Sequence, residues 1–431
     1  MAWAEVRATV AMHSGVTRSI SFLSGTATDA GLGVCVGSHI KVKKTQAKSI
    51  ASCNGDLARF LPETPHFSYS SCWSRQTACR WINIEEHPAG SVLATDSWFV
   101  ALLRSHIAMT ILLAASEMDP LARTGGLGDV LEALPAALQD AGHEVSVVLP
   151  CYRGLRDRPG LVVKSTGVKI PVQIRDKQIN AEILECMTPA GVQVFLIRQD
   201  EYFDREGIYG VEGGAYDDNA ERFIFFSKAV VELARRILPP PEVIHVHDWQ
   251  TALIPVLVKE RRLPFKTVLT IHNLAYQGSF WAFDFGLTGL PGDYFAAGKG
   301  VEYFGNMNLL KGGIVYADAV TTVSDRYARE IQTPEYGAGL DPVVKEHAAK
   351  LTGILNGADY SRWSPETDRL IPQNYSSENL AGKQTCRAAL LNHLGLAPTP
   401  QGPVFSMVSR LASQKGIDLL LPVIDRLLSN D

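Results

Sequence analysis

The chain has 431 residues, of which 46% are hydrophobic and 20% are charged, and its formal net charge at pH 7 is −4. At about 100–200 residues per domain, this length predicts two or three globular domains of ordinary composition. The balance of charge, without a sustained lysine and arginine stripe, argues against a nucleic-acid partner, and no apolar run reaches the ~20 residues of a membrane span. The seven cysteines form neither a disulfide framework nor a C-x-x-C metal pattern, which predicts a reducing, cytoplasmic compartment.

Residues 1–108 differ from the rest of the chain, because they are rich in serine and show few helical or strand periods. One interpretation is a targeting or regulatory extension, since serine-rich, acid-poor leaders can be transit peptides. Four acidic residues argue against an acid-poor leader: Asp29, Asp56, Glu85 and Glu86. We favour the second interpretation, in which Met109 is the true start because the first clear strand follows it directly. No function is assigned to residues 1–108.

The segment from Met109 to Pro150 predicts a strand, a glycine-rich turn, a helix and a second strand. An apolar run at 111–115 has the length of a strand buried on both faces. The turn at 124–129 precedes an amphipathic run that ends at Gly142, a residue suited to terminate a helix. Residues 144–149 form the next apolar run. This order is typical of the first unit of an α/β fold with a doubly wound parallel sheet.

The glycine-rich turn predicts an anion site at the start of the following helix. Glycines permit close backbone approach, and a helix start offers unpaired N–H groups and a positive dipole. Neither the dinucleotide fingerprint G-x-G-x-x-G, with an acidic residue after the second strand, nor a P-loop lysine is present, so NAD binding and ATP hydrolysis are disfavoured. Arg123 precedes the glycines and could add a cationic fork to this site. The alternative is a tight turn with a solvated arginine.

Further elements follow in chain order. Alternating apolar segments between 161 and 197 predict strands, and residues 200–219 predict a loop. The amphipathic run 220–237 predicts a helix that is stopped by three prolines at 239–241.

Three strand–loop units then place polar residues directly after predicted strands at 243–247, 267–271 and 319–323. Ligands of open parallel sheets bind beyond the carboxyl ends of the strands, where Asp248 and His272 lie. Alternatively, Asp248 caps a helix that it opens, and His272 is a hydrogen-bonded core histidine. Ser324 is a plausible helix cap. His245 and His247 lack a further ligand at metal spacing, so a zinc site is disfavoured.

The end of the chain predicts the start of another α/β unit. Residues 404–408 are expected to form a strand, 409–416 a loop and 417–428 a helix. Arg410 and Lys415 flank a helix start, where cations are unfavourable unless an anion offsets them. This arrangement favours a diphosphate held between two domains, although a solvated basic loop is the alternative. One strand and one helix cannot bury their own apolar faces, so this unit is expected to be incomplete.

Six segments together carry a family resemblance: RTGGLGDVLEALPAAL, HVHDWQTAL, TIHNLAYQG, NLLKGGIVYADAVTTVS, GILNGADYSRWSPETD and VSRLASQKGIDLL. In this order they resemble bacterial glycogen synthase and plant starch synthase, the glycosyltransferases that use ADP-glucose. The resemblance implies a GT-B fold of two facing Rossmann-like domains, with the donor in the cleft between them and the α-1,4-glucan entering from the side. Residues 109–350 would form the N-terminal catalytic domain and residues 351–431 the start of the C-terminal domain. That domain continues further in the family, which implies a truncated chain.

The same resemblance implies roles for individual residues. Arg123 stands where the family usually has lysine, and the motif residues Arg123, Gly125, Gly126, Asp129 and Asn356 would bind ADP-glucose. His272 would contact the transferred glucose, Asp248 would line the same cleft, and Arg410 and Lys415 would neutralise the leaving ADP. These four would form the catalytic set.

The implied reaction is a metal-free, retaining transfer to the non-reducing end of a glucan in glycogen biosynthesis. An inactive nucleotide-sugar or glucan-binding remnant is a second hypothesis. A related transferase that uses UDP-glucose or makes sucrose is a third.

Overall fold

The structure is a computed structural model that describes residues 108–211, 214–360, 362–396, 404–409, 415–424 and 426, together with the backbone of a few strands nearer the N-terminus. Its contacts divide the chain into two units, residues 1–110 with 138–144, and residues 111–137 with 145–431. In the first unit, antiparallel pairs join Ala4–Ala11 to Thr17–Ser24, Thr17–Ser24 to Lys41–Val42, and Ser71–Ser74 to Thr77–Arg80. The predicted extension over 1–108 otherwise lies outside the described residues.

A nine-stranded sheet organises the part of the chain that carries the predicted site. Its strands are β1 (Thr110–Ala114), β2 (Glu144–Pro150), β3 (Lys164–Ile174), β4 (Lys177–Met187), β5 (Gln193–Arg198), β6 (Val243–His247), β7 (Lys266–Ile271), β8 (Ala319–Thr322) and β9 (Leu351–Gly353). The order across the sheet is β9-β8-β7-β6-β1-β2-β5-β4-β3. Parallel pairing joins β9 through β8, β7 and β6 to β1, and also joins β2 to β5.

The strand order reverses direction at β1 and β6. From β1 the chain first builds outward through β2 and β5, and it then returns to place β6 on the other side of β1. This is the topological switch point of a doubly wound sheet, at which ligands bind beyond the carboxyl ends of the strands. The predicted α/β, doubly wound class is therefore confirmed, and the residues after β1 and β6 lie at the edge where a site is expected.

One edge of the sheet is antiparallel, which the sequence analysis did not predict. β3 and β4 pair with each other, and β4 pairs with β5, in antiparallel register. Only Arg175 and Asp176 join β3 to β4, and a two-residue connection can join only antiparallel neighbours. β3 also changes register between Ser165 and Lys169, which is a bulge.

Ten helices accompany the strands in the described part of the chain: α1 (Gly126–Asp140), α2 (Asp200–Phe203), α3 (Asn219–Ala234), α4 (Leu253–Glu260), α5 (Phe285–Thr288), α6 (Leu309–Tyr316), α7 (Asp325–Glu330), α8 (Asp341–Glu346), α9 (Ala381–His393) and α10 (Ile417–Leu420). Short 3-10 turns occur at Ala282–Asp284, Gly292–Phe295, Ala348–Lys350 and Leu421–Val423. Two-residue and three-residue strands pair outside the main sheet at Gly210–Val211, Gly214–Ala215, Ser279–Phe280, Glu302–Tyr303 and Asn306–Asn308. None of the helices in the described ranges is long and apolar enough to span a bilayer.

Gly142 terminates α1 as the sequence predicts. It adopts a φ of +95°, which favours glycine. The N–H of Gly142 donates to the carbonyl of Gln139 at 2.8 Å, and that of His143 donates to Leu138 at 3.1 Å. These two bonds satisfy carbonyls that the helix end would otherwise leave unpaired, in the Schellman arrangement.

The last predicted strand differs from the structure. Residues 404–408 form no strand, and the exposed backbone of 404–409 pairs with no described strand. An extended segment becomes a strand only when a neighbour accepts and donates its ladder hydrogen bonds. The helix predicted over 417–428 agrees with the structure wherever it is described: α10, the 3-10 turn Leu421–Val423 and residues 424 and 426 are all helical.

Candidate functional site

The glycine-rich turn after β1 is folded around the carboxylate of Glu117. Glu117 is only 4% exposed and accepts hydrogen bonds from the backbone N–H of Thr124 at 2.6 Å and of Gly125 at 3.0 Å. It also accepts the Thr124 hydroxyl at 2.7 Å. An internal anion therefore already binds the Gly125 N–H, and the close approach of a diphosphate to the backbone of Gly125 and Gly126 stays a prediction. Gly126 opens α1 directly after this turn.

Two tyrosines hold Glu117 and its neighbour Ser116 in place. The Tyr209 hydroxyl donates to Glu117 at 2.7 Å and lies 2.7 Å from the Ser116 hydroxyl. The Tyr152 hydroxyl donates to the carbonyl of Ser116 at 3.0 Å. Burial raises the pKa of both tyrosines well above its usual range, so each stays a neutral donor. Glu117 was not predicted as a site residue, because its only signal in the sequence is its position just beyond β1.

Arg123 lies at the same turn, but its charge is already paired. Its guanidinium contacts Asp129 at 3.0 Å and Asp119 at 3.6 Å, and its side chain remains 41% exposed. Arg362 joins Asp119 at 3.1 Å and Glu132 at 2.6 Å. Asp119, Asp129 and Glu132 have oxygens within 4.8 Å of one another, a spacing at which carboxylates can hold a metal. In this structure the guanidinium groups of Arg123 and Arg362 offset the negative charge of these three carboxylates.

Three histidines and Asp248 meet at the ends of β6 and β7. The rings of His245 and His247 stack with centroids 4.3 Å apart. His247 Nδ1 lies 3.0 Å from His272 Nε2, and His245 Nε2 lies 2.7 Å from the Thr270 hydroxyl. Burial lowers the pKa of His245 and His272 to about 4 and that of His247 well below its usual range. All three are therefore neutral near pH 7.

Asp248 braces His272 and does not cap a helix. Its Oδ1 accepts the backbone N–H of His272 at 2.7 Å, and its φ of +56° places it in the left-handed region. α4 begins at Leu253, so the predicted helix opening at Asp248 is wrong. Burial raises the pKa of Asp248 to about 7, although backbone N–H groups of His272 and Asn273 oppose that rise. Ser324, by contrast, does cap α7, accepting the Tyr327 N–H at 3.0 Å.

A hollow of about 590 Å³ lies beside this cluster. Its lining comes from two segments of the chain: His272, Asn273 and Ala275 follow β7, and Tyr327, Glu335 and Tyr336 lie in α7 and after it. The volume falls within the range of small-molecule sites. The Tyr327 hydroxyl accepts the N–H of Leu274 at 3.1 Å, which connects the two segments.

The remaining predicted residues are not brought to this cluster. Asn356 and Lys415 are exposed, and among the described residues no hydrogen bond or ion pair links either of them to Arg123, Asp248 or His272. Arg410 lies outside the described residues. The predicted pairing of Arg410 and Lys415 around a leaving diphosphate stays a prediction.

The raised pKa of Asp248 predicts a specific pH dependence of stability. Between pH 4 and 7 the folded chain keeps this carboxyl protonated while the unfolded chain ionises it, so the free energy of unfolding falls as pH rises. At 1.36 kcal/mol per pKa unit, discounted for partial exposure, the loss is on the order of 2–4 kcal/mol. Asp248→Asn keeps the acceptor oxygen, so its stability relative to the native chain should increase from pH 5 to pH 8 in urea unfolding. A constant difference between the two chains would contradict the assignment, and Asp176→Asn in an exposed turn is the control.

Comparisons with known proteins identify the family of this chain. A family model described as "Starch synthase catalytic domain" matches residues 110–346. The chain is similar to the glycogen synthase of Opitutus terrae, at 46% identity over 319 residues, which is 73% of this chain and 66% of that protein. It is also similar to the glycogen synthase of Koribacter versatilis, at 47% identity over 326 residues, with 74% and 66% covered. The chain thus spans just under two thirds of the length of these relatives.

A solved structure shares the fold. The catalytic domain of Starch Synthase IV from Arabidopsis thaliana, bound to ADP and acarbose, matches with a TM-score of 0.68 and 31% identity. The match covers 75% of this chain and 66% of that chain.

Proposed function

Because the chain belongs to the starch synthase catalytic domain family, we propose that it transfers glucose from ADP-glucose to the non-reducing end of an α-1,4-glucan, with retention of configuration. The observation that carries this proposal is that two elements lie together at the carboxyl ends of β1, β6 and β7, close enough for Glu117 to interact electrostatically with both Asp248 and His272. One is the glycine-rich turn braced by Glu117, and the other is the pair Asp248 and His272 beside the hollow. To bind a nucleotide sugar, a protein needs a turn whose backbone can approach the diphosphate and a pocket that holds the sugar.

The proposed roles follow from the chemistry of the step. Transfer passes through an oxocarbenium-like sugar while the diphosphate gains negative charge, and fixed cations and N–H donors stabilise that charge. We assign donor binding to Arg123, Gly125, Gly126, Asp129 and Asn356. Asp129 holds the Arg123 guanidinium, so an arriving phosphate would share that cation with it.

We assign the catalytic roles to His272, Asp248, Arg410 and Lys415. His272 would contact the transferred glucose, and Asp248 fixes the backbone of His272. Arg410 and Lys415 would stabilise the leaving ADP. No metal has a role in this scheme, since the two cationic side chains supply the charge.

The domain organisation is proposed on the same resemblance, with 109–350 as the N-terminal catalytic domain and 351–431 as the start of the C-terminal domain. A cytoplasmic location is proposed from the cysteines, of which Cys151, Cys186 and Cys386 are free.

An assay of labelled glucose transfer from ADP-glucose to glycogen tests the proposal. Incorporation by the 431-residue chain would support it and would eliminate the alternative, a non-catalytic nucleotide-sugar or glucan-binding remnant. Binding of ADP-glucose without incorporation would support the remnant. Competition with UDP-glucose would show whether the enzyme prefers an adenine or a uracil base in the donor.

Removal of the proposed leaving-group cation should slow the transfer. We expect Lys415→Ala or Arg410→Ala to lower kcat by a factor of about 10²–10³, the usual cost of losing one charge-stabilising donor. Initial rates of glucose incorporation would measure this effect. Lys164→Ala, at the start of an edge strand, is the control and should leave kcat unchanged. Near-normal turnover in the Lys415 variant would refute the role.

A further inference from the structure

We propose that His247 is a positioning residue that holds His272 in a single tautomer. In this arrangement the Nδ1–H of His247 donates to Nε2 of His272, and His272 carries its own proton on Nδ1. His272 then offers an N–H donor, which suits a hydroxyl or ring oxygen of the sugar of a nucleotide sugar. The identity of that ligand rests on the proposed function, whereas the tautomer does not.

Only one proton can lie between the two ring nitrogens that face each other, Nδ1 of His247 and Nε2 of His272. His247 Nδ1 and His272 Nε2 are 3.0 Å apart, a hydrogen-bond distance, and the ring centroids are 5.3 Å apart. Burial favours the neutral form of both rings by lowering their pKa. In a pair of neutral imidazoles one nitrogen donates and the other accepts, so the proton belongs to His247 or to His272.

The other ring nitrogen of His247, Nε2, decides which of the two residues carries the proton. Its Nε2 is buried and has no hydrogen-bond partner among the residues that the structure describes. If His247 accepted through Nδ1, its proton would lie on Nε2 as an orphaned buried N–H. If His247 donates through Nδ1, Nε2 keeps a lone pair instead. Orphaned buried N–H groups are rarer in proteins than acceptors with an unused lone pair, so His247 is the donor.

The surrounding contacts prevent the His247 ring from turning away. His247 is 0% exposed, and its stacking on His245 fills the adjacent space. Its backbone N–H donates to the Thr251 hydroxyl at 2.8 Å, and that hydroxyl donates to the His247 carbonyl at 2.8 Å. Because the His247 ring cannot turn, its Nδ1–H stays directed at Nε2 of His272.

His272 is the member of the pair that reaches the ligand. It is half-buried and lines the 590 Å³ hollow, whereas His247 is fully enclosed. His247 therefore acts through His272 and touches no substrate itself. The hydrogen bond from the His272 backbone N–H to Asp248, at 2.7 Å, fixes the other end of the residue.

Nitrogen-15 NMR of the 431-residue chain with labelled histidine tests the tautomer directly, without any ligand. At pH 7.5 we expect both His247 and His272 to be protonated on Nδ1. In His247→Phe, which keeps the ring volume, His272 should shift toward the Nε2–H form. His247→Asn should restore the Nδ1–H form, because its side-chain amide N–H can take the place of Nδ1–H. His245→Phe is the matched control and should leave the His272 tautomer unchanged.

Two results would overturn the proposal. One is a native His272 protonated on Nε2, which needs no variant to be observed. The other is an unchanged His272 tautomer in a folded His247→Phe chain.

Affinity measurements separate this proposal from the proposed function. By calorimetry we expect His247→Phe to weaken ADP-glucose binding about tenfold, the equivalent of one hydrogen bond, while the affinity for ADP stays unchanged. Equal losses for the two ligands would contradict a role for His247 at the sugar. If the native chain has the expected tautomers but binds neither ligand, the proposed function fails and the positioning role of His247 stands.

Discussion

Replacing Arg222 with methionine is expected to lower the free energy of unfolding by about 3–5 kcal/mol. Arg222 is 0% exposed, and its guanidinium donates to the Tyr202 carbonyl at 2.7 Å, to Asn219 Oδ1 at 2.6 Å and to the Ile208 carbonyl at 3.0 Å. Methionine would fill most of the space but leave three acceptors buried without a donor, at about 1–3 kcal/mol each.

The aromatic rings around Arg222 add to this loss. The guanidinium carbon lies 4.9 Å from the Tyr216 ring centroid and 5.4 Å from that of Phe223. A cation over such faces gains about 0.5–2 kcal/mol, and the methionine sulfur recovers about 0.3–1.5 kcal/mol against the same rings, so the net addition to the loss is small. Burial lowers the pKa of Arg222, but the guanidinium stays charged at any ordinary pH.

Urea unfolding at pH 7.5 measures this effect. The control is Arg326→Met, in an exposed i,i+4 pair with Glu330, which should change the free energy by less than about 0.5 kcal/mol. A loss below about 1 kcal/mol in the Arg222 variant would show that the loop rearranges to satisfy its carbonyls. Because Ile208 precedes Tyr209, the variant should also loosen the hydrogen bond from Tyr209 to Glu117.

Glu117→Gln is expected to lower the rate of glucose transfer by about 10²-fold or more. With its oxygen on the Thr124 and Gly125 N–H groups, glutamine would place its NH₂ group against the Thr124 and Tyr209 hydroxyls, which would have to reverse from donors to acceptors. The variant also loses the negative charge that strengthens these hydrogen bonds, so the turn is held less firmly. A shift of about 1 Å at a positioning element commonly costs this factor.

Initial rates with ADP-glucose, together with the affinity for ADP, test the role of Glu117. Both should fall, since the turn approaches the diphosphate in the proposed function. Glu201→Gln, at an exposed position of α2, is the control and should change neither quantity. Unchanged rates in a folded Glu117→Gln chain would show that the turn does not depend on its internal anion.

Local pattern was sufficient for most elements of the sheet. The β-branched and apolar residues of β1, β2, β6 and β7 predicted these strands to within a residue or so, because buried parallel strands are rich in such residues. The end of α1 at Gly142 was equally predictable, since the left-handed conformation there favours glycine. The prediction of an open parallel sheet placed the candidate site at the carboxyl ends of the strands before any contact between side chains was known.

The internal contacts of the site could not be predicted, because they join distant parts of the chain. Asp248 pairs with a backbone N–H 24 residues away, and that contact explains why it leaves the helical conformation expected of a residue opening a helix. Glu117 depends on Tyr209, 92 residues away. His247 meets His272 because β6 and β7 are neighbours in parallel register, and neighbour order across a sheet is not encoded in any single strand.

Both borders of the nine-stranded sheet discourage self-association. An outer strand presents unpaired backbone groups on which a second molecule could assemble. β3 carries Lys164 and Lys169, is bulged between Ser165 and Lys169, and includes Pro171, which has no N–H to donate. At the opposite border, β9 has only three residues, too short a template for an intermolecular ladder. We therefore expect the chain to resist edge-to-edge aggregation even at high concentration.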